Sequence, residues 1–147
     1  MEKVWVLLAD ATYGRILSTE GRVGKQLTEV ETLIHPESRA HAVDLTSDKP
    51  GRSWAASGDG RHAMDDPTDP KEKERHSFVR QIAERLSEGY REGAFRHLVL
   101  VAAPRVLGEL RKTLDEHVAA AISAEVHKDL VREKPEEARK HLPDFLY

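Results

Sequence analysis

An α/β domain built on a mixed five-stranded sheet is the fold that the sequence predicts. Three observations predict it. Three short strand-like segments crowd the first 34 residues, an uninterrupted apolar run follows at residues 97–102, and helical patterns flank that run on both sides.

Val4-Trp5-Val6-Leu7-Leu8-Ala9 is short, rich in β-branched and large apolar residues, and ends at Asp10, a turn former. It reads as a central strand, apolar on both faces. Gly14 to Ser18 is its hairpin partner, with Asp10-Ala11-Thr12-Tyr13 as the connection. A third strand follows Gly24, where Leu27, Glu29 and Glu31 alternate with Thr28, Val30 and Thr32 before Leu33-Ile34. Short links between the three make an antiparallel meander.

The next stretch, residues 35–68, shows neither amphipathic period, while Pro, Gly, Ser, Asp and His abound. Unstructured loops longer than about 12–15 residues are uncommon and are usually functional or disordered. Arg39, Lys49, Arg52 and Arg61 stand here against seven acids counted through Asp69, which accounts for the whole net charge of −3. Val43, Leu45 and Trp54 are the apolar groups available to pin the segment to the body.

A long helix then opens on a strong start signal. Asp69 serves as N-cap, Pro70 takes the first helical position, and Glu72 sits three residues after the cap. Phe78, Val79, Ile82, Ala83, Leu86 and Tyr90 form one buried stripe, and Gly93 stops the helix. His-Leu-Val-Leu-Val-Ala at 97–102 has the character of a buried parallel strand. Pro104 begins a second helix with Val106, Leu107 and Leu110 inward, and a short helical turn covers Glu116 to Ala120. Ile122 to His127 is a fifth strand, and Pro135 starts a last helix reaching about Leu142.

With right-handed crossovers, this order puts strand four beside strand one and strand five outside it: 3-2-1-4-5, with helices on both faces. That is the ribonuclease-H-like layout, which hosts unrelated chemistries. Residues 1–147 are expected to form a single domain, with 35–68 as a long loop inside it.

Composition narrows the function classes. The chain has 147 residues, 39% hydrophobic and 33% charged, and no cysteine, so disulfides, thiolate metal sites and cysteine nucleophiles are excluded. A formal charge of −3 supplies no overall positive field toward nucleic acid or membrane, so neither DNA nor membrane is an expected partner. The first apolar run, Val4 to Ala9, is too short for a signal sequence or a membrane span, and a cytoplasmic location is the expectation.

Candidate chemistry is scattered. Asp10 ends the first strand, near where ribonuclease-H-like enzymes hold a metal-binding carboxylate. Two-metal chemistry needs several converging acids, yet strand four ends Val101-Ala102-Ala103-Pro104 with none. A nuclease is therefore rejected, and a turn aspartate bonding its own backbone is the plainer reading of Asp10. His35, Glu37, His41 and His62 are donor types that suit zinc or manganese. Their irregular spacing makes no metal site, and no cofactor is expected. His76, His97, His117 and His141 are placed on exposed faces of regular elements. Gly58-Asp59-Gly60-Arg61-His62 is permissive backbone able to approach an anion closely, with Arg52 nearby, but no Walker lysine follows. Lys128 and Asp129 close strand five, where an ion pair or a capping role is the common outcome. No Gly-x-Ser-x-Gly elbow is present, so the enzyme reading has candidates but no constellation.

Several segments together resemble the bacterial host-attachment proteins, a family named for a requirement in attachment to host cells. The resemblance covers nearly the whole chain. It rests on Trp5-Val6 through Ala9-Asp10, Gly14-Arg15-Ile16, His35-Pro36-Glu37-Ser38-Arg39, Asp44-Leu45 and Ser47-Asp48-Lys49-Pro50-Gly51-Arg52-Ser53. Gly60-Arg61-His62-Ala63, Leu98 to Pro104, Leu107-Gly108, Leu110-Arg111 and Lys128-Asp129-Leu130 complete it. That family is similar to the middle domain of archaeal and eukaryotic peptide-chain release factors and of Pelota. In release factors a Gly-Gly-Gln loop precedes a long helix; here Gly58 to His62 holds the comparable place, without the glutamine.

The resemblance implies a cytosolic binding module that presents its long loop to the ribosome or to a tRNA-like RNA. Arg39, Arg52 and Arg61 would touch phosphates, with Gly58, Gly60 and His62 beside them. A small metal-dependent or loop-gated hydrolase is the alternative, with Asp10, His41, His62 and Asp129 as its polar groups. A homo-oligomer is the third candidate, with Trp54 and Ala55-Ala56 as its apolar anchor.

Overall fold

A computed structural model describes residues 1–35 and 70–147. The meander is present as β1 (Lys3–Ala9), β2 (Tyr13–Glu20) and β3 (Thr28–Ile34). There follow α1 (Pro70–Arg91), β4 (His97–Val101), α2 (Pro104–Thr113), α3 (Glu116–Ala121), β5 (Ile122–Val126) and α4 (Pro135–Lys140). The five strands form one sheet in the order β3-β2-β1-β4-β5, as expected from the handedness of the crossovers. β1 pairs antiparallel with β2 and parallel with β4, which pairs parallel with β5.

The sheet separates two cores. On the first face, Trp5, Leu7, Ile16, Leu98 and Leu100 pack against Phe78, Ile82 and Leu86 of α1, Leu107 and Leu110 of α2, and Val118 of α3. On the second face, Val4, Val6, Leu8, Leu17, Val99 and Val101 meet Leu130, Ala138 of α4, Leu142 and Leu146. β1 and β4 feed both cores, which is why their sequences show no alternation. Each fully buried Leu or Phe here is worth about 1.5–3 kcal/mol of transfer free energy.

α1 ends where the sequence places its stop. Gly93 has φ +74, its N–H donates to Tyr90 O (3.1 Å), and Ala94 N–H reaches Gly89 O (2.9 Å). This pair of bonds is a Schellman cap, which needs a residue tolerant of positive φ. Asp69, the expected N-cap, lies outside the described residues.

Three expectations change. Tyr90 was expected in the buried stripe but is 38% exposed: its ring sits beside Phe95 and stacks on His117 at the margin of the core. His97 was expected on an exposed face, yet its side chain is about three-quarters buried, stacked on Tyr147 at 3.8 Å and bonded to Glu2. The plain alternation of β3 also fails. The register steps from Ile16↔Glu31 to Leu17↔Glu29, so Val30 is an extra residue, a β-bulge. Plain alternation would put Glu29 and Glu31 on one face. Instead Glu29 pairs with Arg15, whose guanidinium reaches the segment crossing the second face, while Glu31 accepts from Arg85 Nε of α1 on the first (2.7 Å).

Candidate functional site

The carboxyl ends of β1 and β4 lie at one edge of the sheet, where open α/β folds usually place their ligands. Asp10 follows β1 there. Its Oδ1 accepts from the N–H groups of Thr12 (2.9 Å) and Tyr13 (2.7 Å) and from the Thr12 hydroxyl (3.3 Å), while its own N–H donates to Tyr13 O. This is an aspartate shaping its own hairpin turn. Its second oxygen, Oδ2, makes no hydrogen bond among the described residues.

Asp129 behaves similarly. Its Oδ1 accepts from Val131 N–H at 3.4 Å, in the irregular segment between β5 and α4. Neighbouring Lys128 turns its Nζ to His141 Nδ1 (3.1 Å) rather than to Asp129. Asp10 lines a cavity of about 550 Å³ and Asp129 does not, so that cavity does not bring the two acids together. The other candidate residues, Arg39, His41, Arg52, Gly58, Gly60, Arg61 and His62, lie outside the described residues. Among the described residues no group of three or more His, Asp or Glu is gathered as metal ligands.

The residues on either side of 36–69 are held at this same edge. His35 is buried; its N–H donates to Thr12 O (3.5 Å) and its ring meets the edge of Phe78 in α1 at 5.9 Å. On the far side, the first turn of α1 is bound to α2. Arg105 Nη2 reaches Glu72 Oε1 (2.9 Å), Arg75 Nε donates to Glu109 Oε1 (2.6 Å), and His76 Nδ1 lies 3.7 Å from Glu109 Oε2. α2 starts three residues after β4, so these bonds hold Pro70 beside the strand ends.

The cavity of about 550 Å³ lies on the second face, beside the segment that leads into α4. Its floor is the Arg15–Glu29 pair on β2 and β3. Arg15 is only 11% exposed, and its Nη1 also donates to the carbonyls of Val131 (2.8 Å) and Glu133 (2.6 Å). The guanidinium thereby joins the sheet to the segment that forms the rim, where Arg132 and Lys134 stand. Tyr13, 39% exposed, lines the same cavity.

Sequence reasoning passed over Arg15, Arg132 and Lys134 as site residues. Arg15 partners residues 14 positions away on β3 and 116 away in the rim, and only the folded register brings them together. Its one signal was a cation lodged between Gly14 and Ile16, just before the apolar pair Ile16-Leu17.

Comparison with known proteins adds two findings. Residues 5–142 match the family model described as "Protein required for attachment to host cells". Among solved structures, an archaeal translation termination factor, aRF1, is similar over 97% of this chain with a TM-score of 0.52 and 10% sequence identity. The chain spans 35% of that factor's length. A second structure, named only as an archaeal protein, has a TM-score of 0.47 at 12% identity over 95% of this chain and 36% of its own. No curated protein matches the sequence. At 10% identity the likeness to aRF1 is one of fold.

Proposed function

The chain belongs to the family of proteins required for attachment to host cells, and from that premise we propose that it is a binding module, not an enzyme, which presents residues 35–68 to the ribosome or to a structured, tRNA-like RNA. The observation that carries this reading is the anchoring of the flanking residues, His35 and the first turn of α1, at one edge of the sheet. His35 is buried against Phe78, and the first turn of α1 is tied to α2 by the Glu72–Arg105 and Arg75–Glu109 pairs. A long insertion held at both roots is suited to contact with something outside the domain. The fold shared with a translation termination factor supports the ribosome as the partner. Arg39, Arg52 and Arg61 would bind phosphates, and Gly58, Gly60 and His62 would let the backbone approach. The whole chain acts as one domain, and a cytoplasmic location follows from such a partner.

Co-sedimentation with ribosomes across a salt series tests this. The wild type is expected to bind at low salt, and replacing Arg52 and Arg61 by alanine is expected to weaken binding and lower the log–log salt slope by about 1.5. Failure to co-sediment at low salt, or an unchanged slope in the double variant, overturns the reading.

The hydrolase alternative draws its one support from the free Oδ2 of Asp10 beside a cavity. It is weaker, because Asp10 and Asp129 are both engaged in their own turns. Stoichiometric zinc or manganese retained through dialysis would revive it.

A further inference from the structure

We infer that the cavity bounded by Tyr13, Arg132 and Lys134 is a binding site for a single nucleotide, with the base on the tyrosine ring and the phosphate between the two cations. The inference rests on the RNA reading above and places a contact on the described body of the domain.

The three tyrosines of the chain differ in one respect. Tyr90 lies against Phe95 and His117, and Tyr147 stacks on His97. Tyr13 has no ring partner and no hydrogen bond from its hydroxyl among the described residues, although it is 39% exposed on a cavity wall. An aromatic face left open beside cations is the usual stacking platform for an unpaired base.

The cations show the same contrast. Arg15 is spent on Glu29 and two carbonyls. Arg132 and Lys134 are exposed and have no carboxylate partner among the described residues, so they remain available to a phosphate. Three acids share the cavity. Glu29 is neutralised by Arg15, and Asp10 keeps Oδ2 free to accept from a ribose hydroxyl or an exocyclic amine. Asp10 and Glu133 both oppose a phosphate without a cation partner among the described residues, which sets the expected affinity in the millimolar range for a free nucleotide. A volume of about 550 Å³ is within the range of small-molecule sites.

The test is titration of the isotope-labelled protein with adenosine monophosphate, and separately with adenosine and with inorganic phosphate, following the amides of Thr12, Tyr13 and Lys134. Saturable shifts that are stronger with the nucleotide than with either part are expected. Tyr13→Ala should weaken binding about tenfold, while Tyr13→Phe, which keeps the stacking face, should stay within about twofold of the wild type. No saturable shift, equal shifts from phosphate alone, or an unchanged affinity in Tyr13→Ala each overturn the inference. Ribosome co-sedimentation without nucleotide shifts leaves the reading of the 35–68 segment standing and removes this site. Nucleotide shifts without ribosome binding do the reverse.

Discussion

The two faces of the sheet are closed by different physics. On the first, three helices lay interlocking side chains over the strands, with Phe78, Ile82, Leu86, Leu100, Leu107 and Leu110 fully buried. On the second, α4 has six residues and most of the cover is irregular chain. Irregular chain leaves carbonyls without ladder partners, and those groups must be satisfied. Arginines do this here. Arg15 serves Val131 O and Glu133 O, while Arg139 serves Gly24 O (2.7 Å), Val23 O, Pro143 O and Asp144 O. Arg22 Nε takes Tyr147 O at 2.7 Å and Ser123 Oγ takes Leu146 O at 2.5 Å. One face is held by apolar volume, the other by apolar volume together with forked donors reaching backbone oxygens.

The largest expected effect breaks the first face. Phe78→Ala removes a ring with no exposed surface and should cost about 3–5 kcal/mol, read as a lower midpoint in urea. Amide exchange should quicken throughout the domain, because α1 covers strands central to both cores.

Next comes the second face. Arg15→Met keeps the apolar stem and removes every bond to Glu29, Val131 and Glu133, for about 2–3 kcal/mol. Exchange should rise first in residues 130–142, leaving α1 protected. Uniform loss in this variant would show that the two faces unfold together, against the contrast drawn here.

Gly89→Ala probes close packing on the first face. A Cβ there would lie 2.6 Å from two carbons of the Trp5 ring, which itself stacks on Phe95 at 4.9 Å. Alanine gains about 1 kcal/mol of helix propensity, and forced overpacking costs about 1–3, so a net loss near 1 kcal/mol is expected in thermal unfolding.

The smallest effect is electrostatic. Backbone N–H bonds from Val118 and then His117, with the Ser87 hydroxyl, hold Asp115 below its ordinary value of 3.8. The Arg111 hydrogen bond likewise lowers Glu125 below 4.5. Each folded carboxyl binds protons less readily than the unfolded one. Its contribution is therefore complete above the ordinary value and disappears as pH falls through the lowered one. Asp115→Asn keeps a capping oxygen and cannot titrate, so its stability should fall less steeply in acid than that of the wild type.

Much of the fold was legible because its signals are local. The apolar runs of β1 and β4, the Pro-opened helices and Gly93 each declare themselves within a few residues, and crossover handedness then fixes the strand order. Asp10 was legible for the same reason: its bonds reach no further than Tyr13. The cavity was not. Arg132 and Lys134 belong to a stretch without periodicity, and their relation to Tyr13 exists only once Arg15 has drawn that stretch onto the sheet. His97 misled because its burial comes from Tyr147, 50 positions away. The bulge at Val30 misled because a one-residue insertion leaves no mark on a short alternating pattern.

That bulge has a consequence at the margin of the molecule. Among the described residues β3 is one of the two outer strands, with a row of backbone groups that no neighbouring strand pairs on one side. A straight margin of this kind invites another chain to add itself and start a ribbon. The extra residue bends the margin and sends Glu29 and Glu31 to opposite sides, so an incoming strand would meet a broken ladder flanked by charge. The same insertion that misaligned the reading of β3 thus guards the protein against self-templated assembly.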